Sequence, residues 1–221
     1  MKPTKLLFVL AFMLLVPTVA SAQGYGRRGG GGYYNNAPPT YQLPGGFWNR
    51  QGRLTFGGSF GLGAMSDRFG DIECADCDYN PLSAMLEGHI GGFIGPRLAL
   101  LGEVGVNGQT VSSNRFSGDT TTLVQSTLMI AAQFWVTPQL WIKGGIGFAN
   151  LRLERSYYGD GIVDATSIPE NGLAIMGAVG YELLSARNFS IDLTGRLVNG
   201  AYKGIDNTVT GATIGVGINW Y

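Results

Sequence analysis

The stretch TVTGATIGVGINWY, Thr208 to Tyr221, decides the fold class. In it Ala212, Ile214, Val216, Ile218 and Trp220 alternate with Gly211, Thr213, Gly215, Gly217 and Asn219. A strand turns successive side chains to opposite faces, so one face here is apolar and the other small or polar. The same alternation recurs in segments of about ten residues, the length that crosses a bilayer as a tilted strand. They run from Arg53 to Met65, Ala84 to Ile94, Leu98 to Gly108, Thr121 to Trp135, Leu140 to Leu151, Leu173 to Leu184 and Phe189 to Asn199. With the last segment they make eight, an even number, as a small bacterial barrel requires.

The connections alternate in length. Gly95 to Arg97, Thr137 to Gln139 and Ser185 to Asn188 are tight, whereas Asp67 to Ser83, Gln109 to Thr120, Arg152 to Gly172 and Gly200 to Asn207 are longer and polar. Short periplasmic turns and long outer loops are the habit of barrels in the outer membrane, and that assignment puts both termini in the periplasm. The two faces fit the same picture. One collects Leu54, Phe60, Ile90, Val104, Ile130, Ile146, Ile175 and Leu193 and carries no charge, as lipid demands. The other holds Thr55, Ser59, Glu87, His89, Glu103, Gln125, Lys143, Glu182, Asp192, Arg196 and Asn219. A soluble eight-stranded barrel has the reverse polarity, with an apolar hollow and a polar outside. The expected fold is therefore all-β: an eight-stranded antiparallel up-and-down transmembrane β-barrel over residues 53–221.

Residues 1–22 read as a cleaved signal peptide, with Lys2 and Lys5, an apolar core from Leu6 to Val16, and the small residues Ala20, Ser21 and Ala22 before Gln23. Residues 23–52 read as a disordered periplasmic leader rich in Gly, Tyr and Pro, since such a composition buries too little apolar surface to fold alone. Taking Lys2 and Lys5 from the 15 basic residues leaves 13 against 15 acidic, a formal charge of minus two. No basic stripe suggests a nucleic-acid partner. Glycine, at 36 of 221 residues with no collagen-like period, suits tight curvature and a crowded interior.

These features together resemble the small outer-membrane barrels typified by the OmpA transmembrane domain and OmpX. The resemblance covers Arg53 to Tyr221 and rests on the signal peptide, the strand number, the alternation of turns and the closing stretch Ile214 to Tyr221. It implies that Ile214, Val216, Ile218, Trp220 and Tyr221 form the signal read by the barrel assembly machinery. Trp220 shares the apolar face, whereas Tyr221 falls on the opposite parity. The resemblance also implies outer-membrane lipids and lipopolysaccharide as surroundings. Arg152, Arg155, Tyr157 and Tyr158 at the base of the third long loop read as an ordinary interfacial rim or, alternatively, as a site for lipopolysaccharide headgroups.

An interior charge network is expected from Glu87, His89, Glu103, Lys143, Glu182, Asp192, Arg196 and Arg53, because unpaired buried charges are costly. Lys143, Glu182 and Asp192 are expected at similar heights near the periplasmic end, with Glu182 compensating Lys143. A plug of this kind is the structural reading; a narrow gated ion channel that switches pair partners is the alternative, and a lipid A-modifying enzyme a third. No catalytic residues and no cofactor are assigned. His89 is the sole histidine, so no set of metal ligands converges, and nothing fixes a triad around it. Cys74 and Cys77 read as a disulfide clip in an exported loop. Asp67, Asp71, Glu73, Asp76 and Asp78 around the clip offer oxygens for Ca²⁺ but lack the spacing of an EF-hand loop. Gly57, Gly58, Gly61 and Gly63 do not open a helix, so they make no phosphate loop. The expected role is structural or surface-interacting, with any extracellular ligand held by the loops.

Overall fold

The computed structural model describes residues 46–67, 70–71, 82–114, 119–156, 163–164, 170–186, 188–202 and 208–221. Eight long strands carry the alternating segments: β1 (Leu54–Asp67), β2 (Ser83–Phe93), β3 (Leu98–Asn114), β4 (Asp119–Trp135), β5 (Leu140–Ser156), β6 (Glu170–Ser185), β7 (Phe189–Tyr202) and β8 (Thr208–Trp220). Each pairs antiparallel with its neighbour in sequence. The last then pairs with the first, from Phe56 opposite Trp220 to Asp67 opposite Val209. Closure leaves no unpaired edge, which is the condition a sheet must meet to sit in hydrocarbon.

Three tight connections lie at one end. Gly95 N–H donates to Leu98 O (3.2 Å), Thr137 N–H to Leu140 O (3.1 Å) and Ala186 N–H to Phe189 O (2.9 Å). Both ends of the described chain are tied there too, Gly52 N–H to Phe93 O and Tyr221 N–H to Asn188 O, each at 2.9 Å.

The two faces separate as the alternation requires. Outward positions include Ile130 at 73% exposure, Ile214 at 70% and Ile146 at 69%, within a belt that also holds Leu54, Phe60, Leu86, Val104, Leu173 and Leu197. Exposing a side chain of this size to water forfeits about 1.5–3 kcal/mol, so a belt of them running round the barrel is stable only against lipid. Among the described residues no charged side chain stands on the belt. Arg152 and Glu154 share its parity and form an exposed ion pair at 3.2 Å, beyond it on the side of the long connections. Phe134, Tyr181, Phe189 and Trp220 lie outward at the tight-turn end, the position of an interfacial aromatic girdle. Phe56 stacks on Trp220 across the closing seam, with ring centroids 5.5 Å apart.

Two expectations change. The strands run further on the side of the long connections: β3 continues past Gly108 to Asn114 and β4 begins at Asp119, so their connection shrinks to 115–118. β5 likewise reaches Ser156, where it pairs with the two-residue strand Val163–Asp164. Beyond the lipid both faces of a ribbon meet water, so polar Thr and Ser continue the ladder without the apolar alternation that announces a strand. The barrel boundary also moves. Residues 46–52, assigned to the leader, are part of the folded end, with Phe47, Asn49 and Arg50 buried. Tyr221, on the parity opposite the apolar face, turns into the barrel as that parity requires. Residues 1–45 and the Cys74–Cys77 pair with its acidic neighbours beyond Asp71 lie outside the described residues.

Candidate functional site

The interior is filled in three levels. At the tight-turn end two carboxylates are fully buried, Glu182 on β6 and Asp192 on β7, opposite each other in the ladder. Glu182 accepts from both terminal nitrogens of Arg50 (3.0 and 3.2 Å), from Trp135 Nε1 (2.7 Å) and from Tyr221 Oη (3.0 Å). Asp192 accepts from Trp141 Nε1 (2.8 Å), Ser190 Oγ (2.6 Å) and Asn219 Nδ2 (2.7 Å). Two carboxylates thus meet one cation, and neutral indole, hydroxyl and amide donors supply the remaining stabilisation. Burial pushes the phenol of Tyr221 well above its ordinary range, with Glu182 and Asp192 adding to that push and Arg50 opposing it.

The middle level is a four-charge cluster. Lys143 Nζ stands 2.6 Å from Glu103 Oε2 and 3.3 Å from Glu87 Oε1. Arg196 Nη1 pairs with Glu103 Oε1 and lies 3.5 Å from Glu87 Oε2. Ser59 Oγ donates to Glu87 at 2.7 Å, and His89 Nδ1 is 2.9 Å from the same carboxylate. The strands β1, β2, β3, β5 and β7 all contribute, so the cluster spans the lumen. With two acids against two bases it is neutral when His89 is neutral.

The third level, toward the long connections, is amide and hydroxyl. Gln125 Nε2 donates to Tyr202 Oη (2.8 Å) and to Val209 O (3.3 Å), and Gln109 Oε1 accepts from Met65 N–H (2.7 Å). A space of about 10 Å³ remains between this level and the cluster, lined by Met85, Asn107, Gln125, Thr127, Arg196 and Thr213. It has room for about one water.

Inward glycines make this filling possible. A Cβ on Gly180 would overlap the Trp141 indole, one on Gly211 the Asn107 amide and one on Gly200 the Tyr202 hydroxyl. At Gly57 it would come within 2.6 Å of Asn219 Oδ1 and 2.9 Å of His89 Cε1. At these four positions glycine is clearance for large side chains in a narrow tube, whereas at Gly63, Gly91, Gly147, Gly172 and Gly215 a Cβ would meet the backbone of the neighbouring strand.

Six of the eight residues assigned to the network, Glu87, Glu103, Lys143, Glu182, Asp192 and Arg196, are buried in the lumen, and the His89 side chain is too. Two details differ. Lys143 is compensated by Glu103 and Glu87, not by Glu182. In the ladder Lys143 faces Ala178, four residues from Glu182 on β6, a separation of about 13 Å along a strand. The cation on Glu182 is Arg50, while Arg53, expected inside, is half-buried at the mouth of β1. Arg50 precedes the alternating pattern, so no face could be assigned to it; the aromatic pair Phe47-Trp48 beside it was the available signal. Trp135 and Trp141 were legible from parity as inward, yet their role as carboxylate donors emerges only across strands. Ile214, Val216, Ile218 and Trp220 line the outer face, whereas the Tyr221 ring lies inside. Among the described residues no group of His, Cys, Asp and Glu could hold a metal.

The ladder, the apolar belt and the filled polar interior define a small transmembrane β-barrel, all-β, antiparallel and closed by eight strands. No protein-family model and no curated protein matches the chain. Solved structures similar to it include small outer-membrane barrels. Ail, the attachment invasion locus protein of Yersinia pestis, in complex with the heparin analogue sucrose octasulfate, has 13% identity and TM-score 0.49, over 75% of this chain and 98% of that one. Neisserial surface protein A has 12% identity and TM-score 0.46, over 76% and 95%. OprG from Pseudomonas aeruginosa has 11% identity and TM-score 0.41, over 78% and 96%. Likeness at that level adds nothing to what the strand pairings already establish.

Proposed function

We propose that this protein is an integral outer-membrane barrel with a structural or surface-interaction role and no catalysis, exported by a cleaved signal and inserted with both termini in the periplasm. The observation that carries this reading is the filled lumen: the tube is occupied from end to end by paired charges, indoles and amides that inward glycines admit. A barrel of eight strands is just wide enough for such filling. Transport would require several of these contacts to break together in a medium where each broken pair is costly. The strands that extend beyond the belt, notably β3 to β5 at 17 residues each, make stiff ribbons that display loops to partners outside the cell. Lipopolysaccharide and outer-membrane lipids surround the belt, and the barrel assembly machinery reads the β8 strand. Cys74 and Cys77, a CxxC in an exported chain, are read as a disulfide clip of the first long loop.

Planar-bilayer recording of the purified, refolded protein tests this directly. The expected result is no unitary conductance at neutral pH. Steady single-channel steps would instead support the gated channel, whose physical basis is partner exchange within the Glu87, Glu103, Lys143 and Arg196 cluster. Lipid A mass analysis with and without expression tests the enzymatic alternative.

A further inference from the structure

We infer that the tight-turn end of the barrel contains a guanidinium-binding cage, and that Arg50 of the same chain fills it as a tethered ligand. The cage belongs to the wall. Phe93 comes from the end of β2, Trp135 from the end of β4, Glu182 from β6 and Tyr221 from just past β8, and the first three are 4% exposed or less. These residues sit on four separate strands that the barrel ladder holds in register without help from Arg50. Phe93, Trp135 and Tyr221 also contact one another, with centroids 5.1 to 6.2 Å apart. The ligand comes from outside the wall. Arg50 lies ahead of β1, and a turn in which Arg53 N–H donates to Arg50 O (3.1 Å) directs it inward, helped by Gly52 at a φ of 75° that other residues rarely adopt.

The chemistry matches a planar cation. Arg50 Cζ stands 3.6 Å from the centroid of Tyr221, 5.2 Å from that of Trp135 and 6.0 Å from that of Phe93. Its two terminal nitrogens take the two oxygens of Glu182, a fork-to-fork geometry that guanidinium satisfies and ammonium does not. Desolvation strengthens both contacts. Asp192, buried close by on three neutral donors, leaves this level with two acids to one base, so the field there favours a positive occupant. Arg97 stacked on Phe47 at 3.7 Å holds the same segment from the rim. Residues 46–52 are thus a moored stopper at the tight-turn end.

The test is chemical rescue in the full chain, refolded in detergent micelles. Arg50→Ala empties the cage without touching its wall, and its melting temperature falls. Methylguanidinium then raises that melting temperature saturably and recovers at least half of the loss, while equimolar methylammonium recovers much less and wild type responds to neither. In Arg50→Ala/Glu182→Gln the rescue disappears. Arg50→Lys melts below wild type, because the charge is kept and the fork is lost. If Arg50→Ala does not refold alone, the same titration is read as refolding yield. Absence of saturable rescue in either readout, or equal rescue by methylammonium, overturns the cage.

Discussion

Glu103→Gln isolates what the middle charge cluster contributes. The substitution keeps the shape of the side chain and removes one of two negative charges. Lys143 Nζ loses its 2.6 Å partner and keeps Glu87 at 3.3 Å; Arg196 keeps only Glu87, at 3.5 Å. At an effective dielectric near 20, a unit pair at 2.6 Å is worth about 6 kcal/mol and one at 3.3 Å about 5 kcal/mol. The gross Coulomb loss is offset by the hydrogen bonds that the glutamine oxygen still accepts. Measured costs for orphaning a buried charge centre on about 3–5 kcal/mol, and that is the expected loss here. Urea unfolding of wild type and variant from lipid vesicles, followed by the heat-modifiable shift of the folded barrel on gels, gives the difference. A second substitution decides the cause. Glu103→Gln/Lys143→Met again balances the charges, so the double variant should regain about 1 kcal/mol or more over the single one. A single variant within about 1 kcal/mol of wild type, or a double variant less stable than the single one, would refute charge compensation as the reason for the cluster.

Gly180→Ala drives its Cβ into Trp141 and should cost about 1–3 kcal/mol while shifting tryptophan emission, whereas Gly177→Ala, which meets nothing within 4 Å, should leave melting unchanged. Ile130→Arg sets a charge on the outward belt and should destabilise by about 2–4 kcal/mol in bilayers; a variant as stable as wild type in lipid vesicles would contradict lipid exposure. Tyr221→Phe removes the hydroxyl contacts to Glu182 and Ser190 and should cost about 1–3 kcal/mol by equilibrium unfolding. The same phenol gives a signed pH dependence. Its folded value lies above the unfolded one, so its contribution is fully present below the ordinary tyrosine range and is lost as pH rises through the raised value. Wild type should therefore lose more stability than Tyr221→Phe at strongly alkaline pH, read from melting against pH.

Much of the barrel was legible because lipid imposes a strict rule on sequence. A residue at Ile130 or Ile214 meets hydrocarbon and its neighbours do not, so period two is enforced and all eight strand starts or ends at the tight turns fall within a residue of the reading. Where the ribbons leave the lipid that enforcement ends, and Val111 to Asn114 and Asp119 to Thr120 carried no alternation to read. Inward residues were legible by parity, but parity says only that Lys143 points in. Which carboxylate it meets depends on the stagger between strands, and that stagger places Glu182 beyond its reach.

Sequence alone thus determined the class of the molecule, its strand number, its outward face and most of the charges that had to be inside. Tertiary structure decided the partners: Lys143 with Glu103 and Glu87, Arg50 with Glu182, and the Tyr221 hydroxyl with Glu182 and Ser190. The physical reason is that facing follows from two dihedral angles repeated along one strand, whereas pairing follows from the register and curvature of the whole closed sheet. Arg50 shows the difference most plainly, since a residue outside the ladder has no period and acquires its place only from the cage that receives it.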